Sequence, residues 1–136
     1  MKIEIKNFIN DLEKEVDEKF QKIELVTKKI AFDGFRKIAE ETPIETGLSK
    51  SSWDVGINIE PVGIGKESSE SEAIAIAIKN LKKLDNFKLG GIITYINNVE
   101  YLVFVEYGSP KIAATGMVET NIQILENKLN EALNEL

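Results

Sequence analysis

The chain has 136 residues, 29% of them charged and 43% hydrophobic, a net charge of −6, and neither histidine nor cysteine. That size and balance set a single globular domain, residues 1–136, as the expectation. The missing cysteines exclude disulfides, thiolate metal sites and cysteine nucleophiles; the missing histidines remove the usual general base and the commonest metal ligand, and the acidic balance, with Arg36 the one arginine, argues against a generic DNA-binding surface.

In chain order, the first segment, MKIEIKNFINDLEKEV, alternates charged and apolar residues. It lacks the continuous apolar run of a signal peptide, and nothing reaches the roughly 20 apolar residues of a membrane span. A soluble product is expected. Residues 3–41 read as helix, because Ile5, Phe8, Ile9, Leu12, Val16, Phe20, Ile23, Val26 and Ile30 recur at spacings of mostly three and four, and Phe35 and Ile38 extend them. Such a helix would be about 58 Å long. Asp33-Gly34 is its weak point, since glycine costs about 1 kcal/mol against alanine inside a helix. The expectation is a kink or break there, or an extended helical arm over residues 1–24 that packs on a neighbouring subunit.

Thr42 precedes Pro43, which ends the helix near Glu41. Thr46-Gly47 makes a turn. SWDVGINIE then alternates, with Trp53, Val55, Ile57 and Ile59 on one side, and predicts a half-buried strand with Trp53 anchoring the helix–strand junction. Residues 61–72, PVGIGKESSESE, read as a mobile loop; Gly63 to Ser68 lacks the first glycine of a phosphate loop. Ser69 and Glu72 have capping-box spacing and open a helix over residues 73–84, although the Ala/Ile alternation also fits a strand. After Gly90-Gly91, residues 92–98 predict a second strand. Asn98 is expected to cap a short helix ending at Gly108, a run whose pattern also fits a strand. The last helix covers about 117–135, with Val118, Ile122, Leu125, Leu129, Ala132 and Leu136 on one face. The fold class is thus α+β: a long N-terminal helix, a small antiparallel sheet, a middle helix and a C-terminal helix.

Chemistry is sparse. Glu100 and Glu106 could form an acid–base pair, but six residues apart on a helix they point to different faces. The simpler reading has Asn98 capping, Tyr101 and Tyr107 packing with their hydroxyls in water, and Glu106 bonding a backbone or a neighbouring subunit. Glu40, Glu41, Glu45, Asp54 and Glu60 lack the spacing of a calcium loop. Trp53 could stack on a ligand, but a core or interface anchor is the better reading. No catalytic residue, metal or cofactor is assigned.

The order of motifs resembles the HK97 gp10-like family of phage head–tail connector (neck or tail-completion) proteins. That family shows a long helix, T-P-[IV]-[DE]-T-G and a tryptophan opening a strand, matched by Thr42, Pro43, Ile44, Glu45, Thr46, Gly47 and Trp53. A glycine and a strand ending N-N follow, matched by Gly91, IITYI, Asn97 and Asn98. Next comes P-Y-A-x-x-[LV]-E-Y-G, matched by Tyr101, Val105, Glu106, Tyr107 and Gly108. Finally G-M-[VL] opens the last helix, matched by Gly116, Met117 and Val118. The resemblance spans about residues 25–125. The chain departs from it at Leu48, Glu100, Leu102 and Ala114, where the family has arginine, proline, alanine and proline.

The resemblance implies a structural virion protein of the neck, not an enzyme, assembled in the host cytoplasm. Its subunits would form a homo-oligomeric ring of six, with twelve as the alternative, through a head-to-tail interface. Its partners would be head-completion or adaptor proteins and the tail tube or tail terminator, with DNA passing transiently through the lumen and no membrane contact. Negative walls would keep that DNA from sticking. A tail terminator capping the tube is the close variant. From a different class, a small acidic protein-binding regulator is the alternative reading.

Overall fold

The computed structural model describes residues 5–43 and 47–135, with side chains described from Glu13 onward. It is α+β, with the three long helices that the apolar spacing predicts and a two-stranded antiparallel sheet. Helix α1 spans Ile5–Glu41, followed by a short α2 at Leu48–Ser51 and strand β1 at Asp54–Ile57. Helix α3, Glu70–Leu81, continues into a 3₁₀ turn at Lys82–Asn86. Strand β2 is Ile93–Ile96, and helices α4, Glu100–Tyr107, and α5, Met117–Asn134, complete the chain.

The expected interruption at Asp33-Gly34 does not occur: α1 is continuous across it. Its reason lies in another helix. A Cβ on Gly34 would sit 2.7 Å from Leu125 Cδ1, so the glycine lets α5 approach α1 closely, offsetting its low helix propensity. The two helices run antiparallel. Asn121 near the start of α5 donates to Glu41 at the end of α1, 2.7 Å, and Leu125 meets Gly34. Residues 13–22 of α1 project past this pairing, and all of them are exposed.

The core sits where α1, α3, α5 and the sheet converge, on Phe35, Ile38, Ala39, Trp53, Val55, Ala77, Leu81, Leu102, Val105 and Leu125. In α3 the ambiguity between helix and strand resolves by period. Ala73, Ala77 and Leu81, four apart, are buried, whereas Ala75, which a strand would place with them, is exposed. Ser69 is the N-cap and its side chain accepts from Glu72 N–H at 3.3 Å, as the capping-box spacing predicts.

The sheet pairs Val55 with Tyr95 and Ile57 with Ile93. Strand β1 is shorter than the alternation suggests. Asn58 takes φ 61°, the chain turns away, and Ile59 ends 69% exposed and off the buried side. The segment expected to be a mobile loop, 61–72, is tied to its surroundings at several points. Gly65 N–H donates to Ser52 Oγ, Lys66 N–H donates to Ser51 Oγ, and Ser51 Oγ–H donates back to Lys66 C=O. Its last residues, from Glu70, are the first turn of α3.

Candidate functional site

The motif residues gather into two joints. The first locks the end of α1 to the sheet. Thr42 is buried; its hydroxyl donates to Ile38 C=O at 2.8 Å and accepts from Trp53 Nε1–H at 2.9 Å. Pro43 follows at the helix end, while Ile44, Glu45 and Thr46 lie outside the described residues. Trp53 is 6% exposed, and its indole stacks on Tyr95, centroids 4.7 Å apart. Tyr95 in turn stacks on Phe35 at 4.2 Å, and its hydroxyl donates to Phe35 C=O at 3.1 Å. Three aromatic rings, from α1, from the residue that precedes β1 and from β2, therefore form one column, and burial leaves no ligand-facing ring at Trp53.

Gly47 has φ 79°, and a Cβ there would meet Ser68 C=O. Both facts call for glycine. Just beyond it, Lys50 is buried within α2, donates to Glu40 C=O at 2.6 Å and lies 3.8 Å from Glu70 Oε1. Its ammonium thus sits at the negative end of α1.

The second joint links α4 to α5. Glu106 is buried, and its carboxylate accepts from Val118 N–H at 2.8 Å and from Glu119 N–H at 2.9 Å. These are first-turn donors of α5, whose own N-cap, Gly116, is left-handed at φ 61° and has no side chain to offer. Thr115 closes the connection by donating N–H and Oγ–H to Val105 C=O, each at 2.9 Å. Gly108, at φ 84°, ends α4, and Met117 is buried at the start of α5.

Asn98 does not cap α4. The N-cap is Val99, without a side-chain bond. Asn98 instead donates its backbone N–H to Gly63 C=O and its side chain to Val62 C=O, holding the 61–66 loop. Asn97, its neighbour, donates to Ser49 C=O at 2.6 Å and accepts from Val99 N–H. The paired asparagines clamp α2 and the loop to the end of β2. Tyr101 is half-buried and Tyr107 exposed. Glu100 is exposed and Glu106 buried, so the two carboxylates do not form a pair.

Two groups with structural roles escaped the sequence reading. Lys50 carries no signal among the chain's many lysines. Tyr95 could have been singled out as the one aromatic of IITYI. Burial, and secondarily the charge of Asp54, push its hydroxyl well above the usual phenol value of 10.0. The folded chain therefore favours the neutral phenol. The resulting stability is complete below pH about 10, where unfolded tyrosine begins to ionise, and is lost as pH rises above that. Urea unfolding at about pH 8 and about pH 11 should show a loss of stability at the higher pH that is smaller in Tyr95→Phe. At the lower pH the variant should be less stable by about 1 kcal/mol, for the hydrogen bond to Phe35.

Among the described residues no cluster of carboxylates is placed to hold a metal ion, and no helix is long and apolar enough to cross a membrane. What the surface does offer is apolar. Helix α4 buries Leu102 and Val105 yet turns Val103, Phe104 and Tyr107 to solvent, at 57%, 50% and 76% exposure. A groove of about 360 Å³ opens between α1 and the end of α5, lined by Ile23, Val26, Leu89, Leu129 and Leu133. No family model matches the chain, and neither a curated protein nor a solved structure matches it.

Proposed function

We propose that the chain is a structural subunit of a phage neck, forming a ring that joins the head connector to the tail and lets DNA pass. The observation that carries this reading is α4. A short helix apolar on both sides is normally covered on both. Here Val103, Phe104 and Tyr107 stand uncovered, next to motif residues that act as fixed joints. Large exposed apolar patches mark protein interfaces. The rigid joints at Thr42–Trp53 and Glu106–α5 would hold that face at a set angle to its neighbours, which a ring closing by head-to-tail contacts requires. The net charge of −6 suits a wall past which DNA slides.

The test is assembly. Purified chain is mixed with tail tubes and, separately, with portal complexes, and the products are examined by native mass measurement and electron microscopy. Rings of six copies on either partner are expected, with twelve as the alternative count. Phe104→Glu should leave the circular dichroism spectrum unchanged and abolish ring formation. Failure of the wild-type chain to join both partners would overturn the reading.

A further inference from the structure

A two-stranded sheet has two outer edges, and here they differ. Asn58 N–H donates to Ile92 C=O at 2.8 Å, so along the register Gly56 with Thr94 and Asp54 with Ile96 exchange hydrogen bonds. The backbone groups of Val55 and Ile57 therefore point away from β2, and those of Ile93 and Tyr95 point away from β1.

The β1 edge is closed. Asn80 of α3 donates to Trp53 C=O at 3.0 Å, Val55 N–H donates to Asp54 Oδ1 at 2.8 Å, and Lys83 of the 3₁₀ turn holds that carboxylate at 2.9 Å. The β2 edge is open. Among the described residues, the N–H and C=O groups of Ile93 and Tyr95 have no hydrogen-bond partner, and β1 is the one element that runs alongside the strand. Natural edge strands are blunted by lysine, proline or a bulge. The stretch from Ile92 to Ile96 carries none of these, and Ile92 is 68% exposed.

We infer that the β2 edge pairs with the β2 edge of a second copy of the chain, antiparallel about a two-fold axis at Thr94. With the β1 edge closed, one copy's β2 cannot add to the next copy's β1, and β2 is the strand edge that a second copy has to offer. The register leaves no outward group over. Ile93 of each copy exchanges both its hydrogen bonds with Tyr95 of the other, and Thr94 faces Thr94 in the close position between them. Ile92 of each copy lies across from Ile96 of the other on the outer face of the sheet. Charge agrees at the ends. No charged residue lies between Lys88 and Glu100, and these two stand at equal distances from Thr94. Antiparallel pairing brings the end that carries Lys88 beside the end that carries Glu100 of the other copy, and both side chains are exposed. Parallel pairing would set like on like.

The contact goes beyond the neck reading and stands without it. A two-fold contact cannot by itself close a ring, so failure to form rings on tail tubes would leave it intact. A contact this small is weak. Sedimentation equilibrium should show the 15.2 kDa chain rising toward twice that mass as its concentration approaches about 1 mM. Protection of the Ile93 and Tyr95 amides from hydrogen exchange should rise with it, whereas the Thr94 and Ile96 amides, bonded to β1, are protected throughout.

Thr94 tests the occupant, because it meets itself only in this register. It lies on the outer face, opposite the side from which Ile93 and Tyr95 pack on the core. Thr94→Lys and Thr94→Glu each set like charges face to face, and each should run as one chain. Mixed in equal amounts, they should recover the mass of two chains. The chain has no cysteine, so Thr94→Cys should oxidise to a linked dimer through that thiol. Ile92→Cys should not, because those positions lie about 13 Å apart along the paired strands. One-chain mass for the wild type at every concentration, as an edge reserved for an extended segment of another protein would give, overturns the inference. So does two-chain mass in both charged variants alone, no recovery in their mixture, or a link at Ile92→Cys equal to that at Thr94→Cys.

Discussion

Trp53→Ala is expected to lower the unfolding free energy by about 3–5 kcal/mol, the range for emptying a large aromatic from a packed core. The indole is 6% exposed, and its removal leaves Tyr95 stacked on one side only, by Phe35. It also strips Thr42 Oγ1 of its buried donor. Trp53→Phe separates the two effects. A phenyl ring can keep the stack on Tyr95, whereas the Nε1–H is gone. Thr42 still donates to Ile38 C=O, so one lost hydrogen bond, about 1 kcal/mol, should dominate. Urea unfolding followed by circular dichroism gives both values. If Trp53→Ala costs under about 1 kcal/mol, the column is not the joint that holds α1 to the sheet.

The Thr42–Trp53 bond gives a physical meaning to part of the motif order. Thr42 and Pro43 end α1, and eleven residues later Trp53 returns to bond the threonine. Gly47 supplies the left-handed residue in between and admits Ser68 at close range. Each residue type is set by local geometry, and so it was visible in the sequence. The same holds for Ser69 with Glu72, where the cap lies three residues from its donor, and for Gly108, whose positive φ ends α4.

Other features rested on partners far along the chain. Gly34 reads as a helix breaker because its benefit comes from Leu125, ninety-one positions away, and no local rule reports that. Asn98 precedes a helix and looks like a cap; Val62 and Gly63 compete for it and win. Lys50 belongs to a turn too short to show periodicity, so its burial depends wholly on α1 and α3. The arm differs again. Its helix was legible from spacing, but only the end of α5 shows where packing within the chain stops and the exposed stripe begins.

Glu106→Ala carries the second large effect, expected at about 2–4 kcal/mol. Hydrogen bonds to a charged group contribute roughly 1.5–3 kcal/mol each, and two first-turn N–H groups of α5 depend on this carboxylate. The favourable interaction with the helix dipole is lost too. No side chain at Gly116 can replace it, because the left-handed residue there points the chain away from a capping geometry. For a chain of this size, roughly 3–4 °C of melting temperature accompanies each kcal/mol, so a fall of about 6–16 °C should follow. Glu106→Gln keeps one acceptor and turns its amide donors toward the other N–H, so it should fall between wild type and alanine. Hydrogen exchange locates the effect. The amides of Val118 and Glu119 should exchange faster in both variants, while those of α3 keep their order relative to one another. Unchanged protection at these two amides would mean that α5 is capped in some other way. In that case, the conformation of the α4–α5 connection, and with it the angle at which α4 presents Val103, Phe104 and Tyr107, would not depend on Glu106.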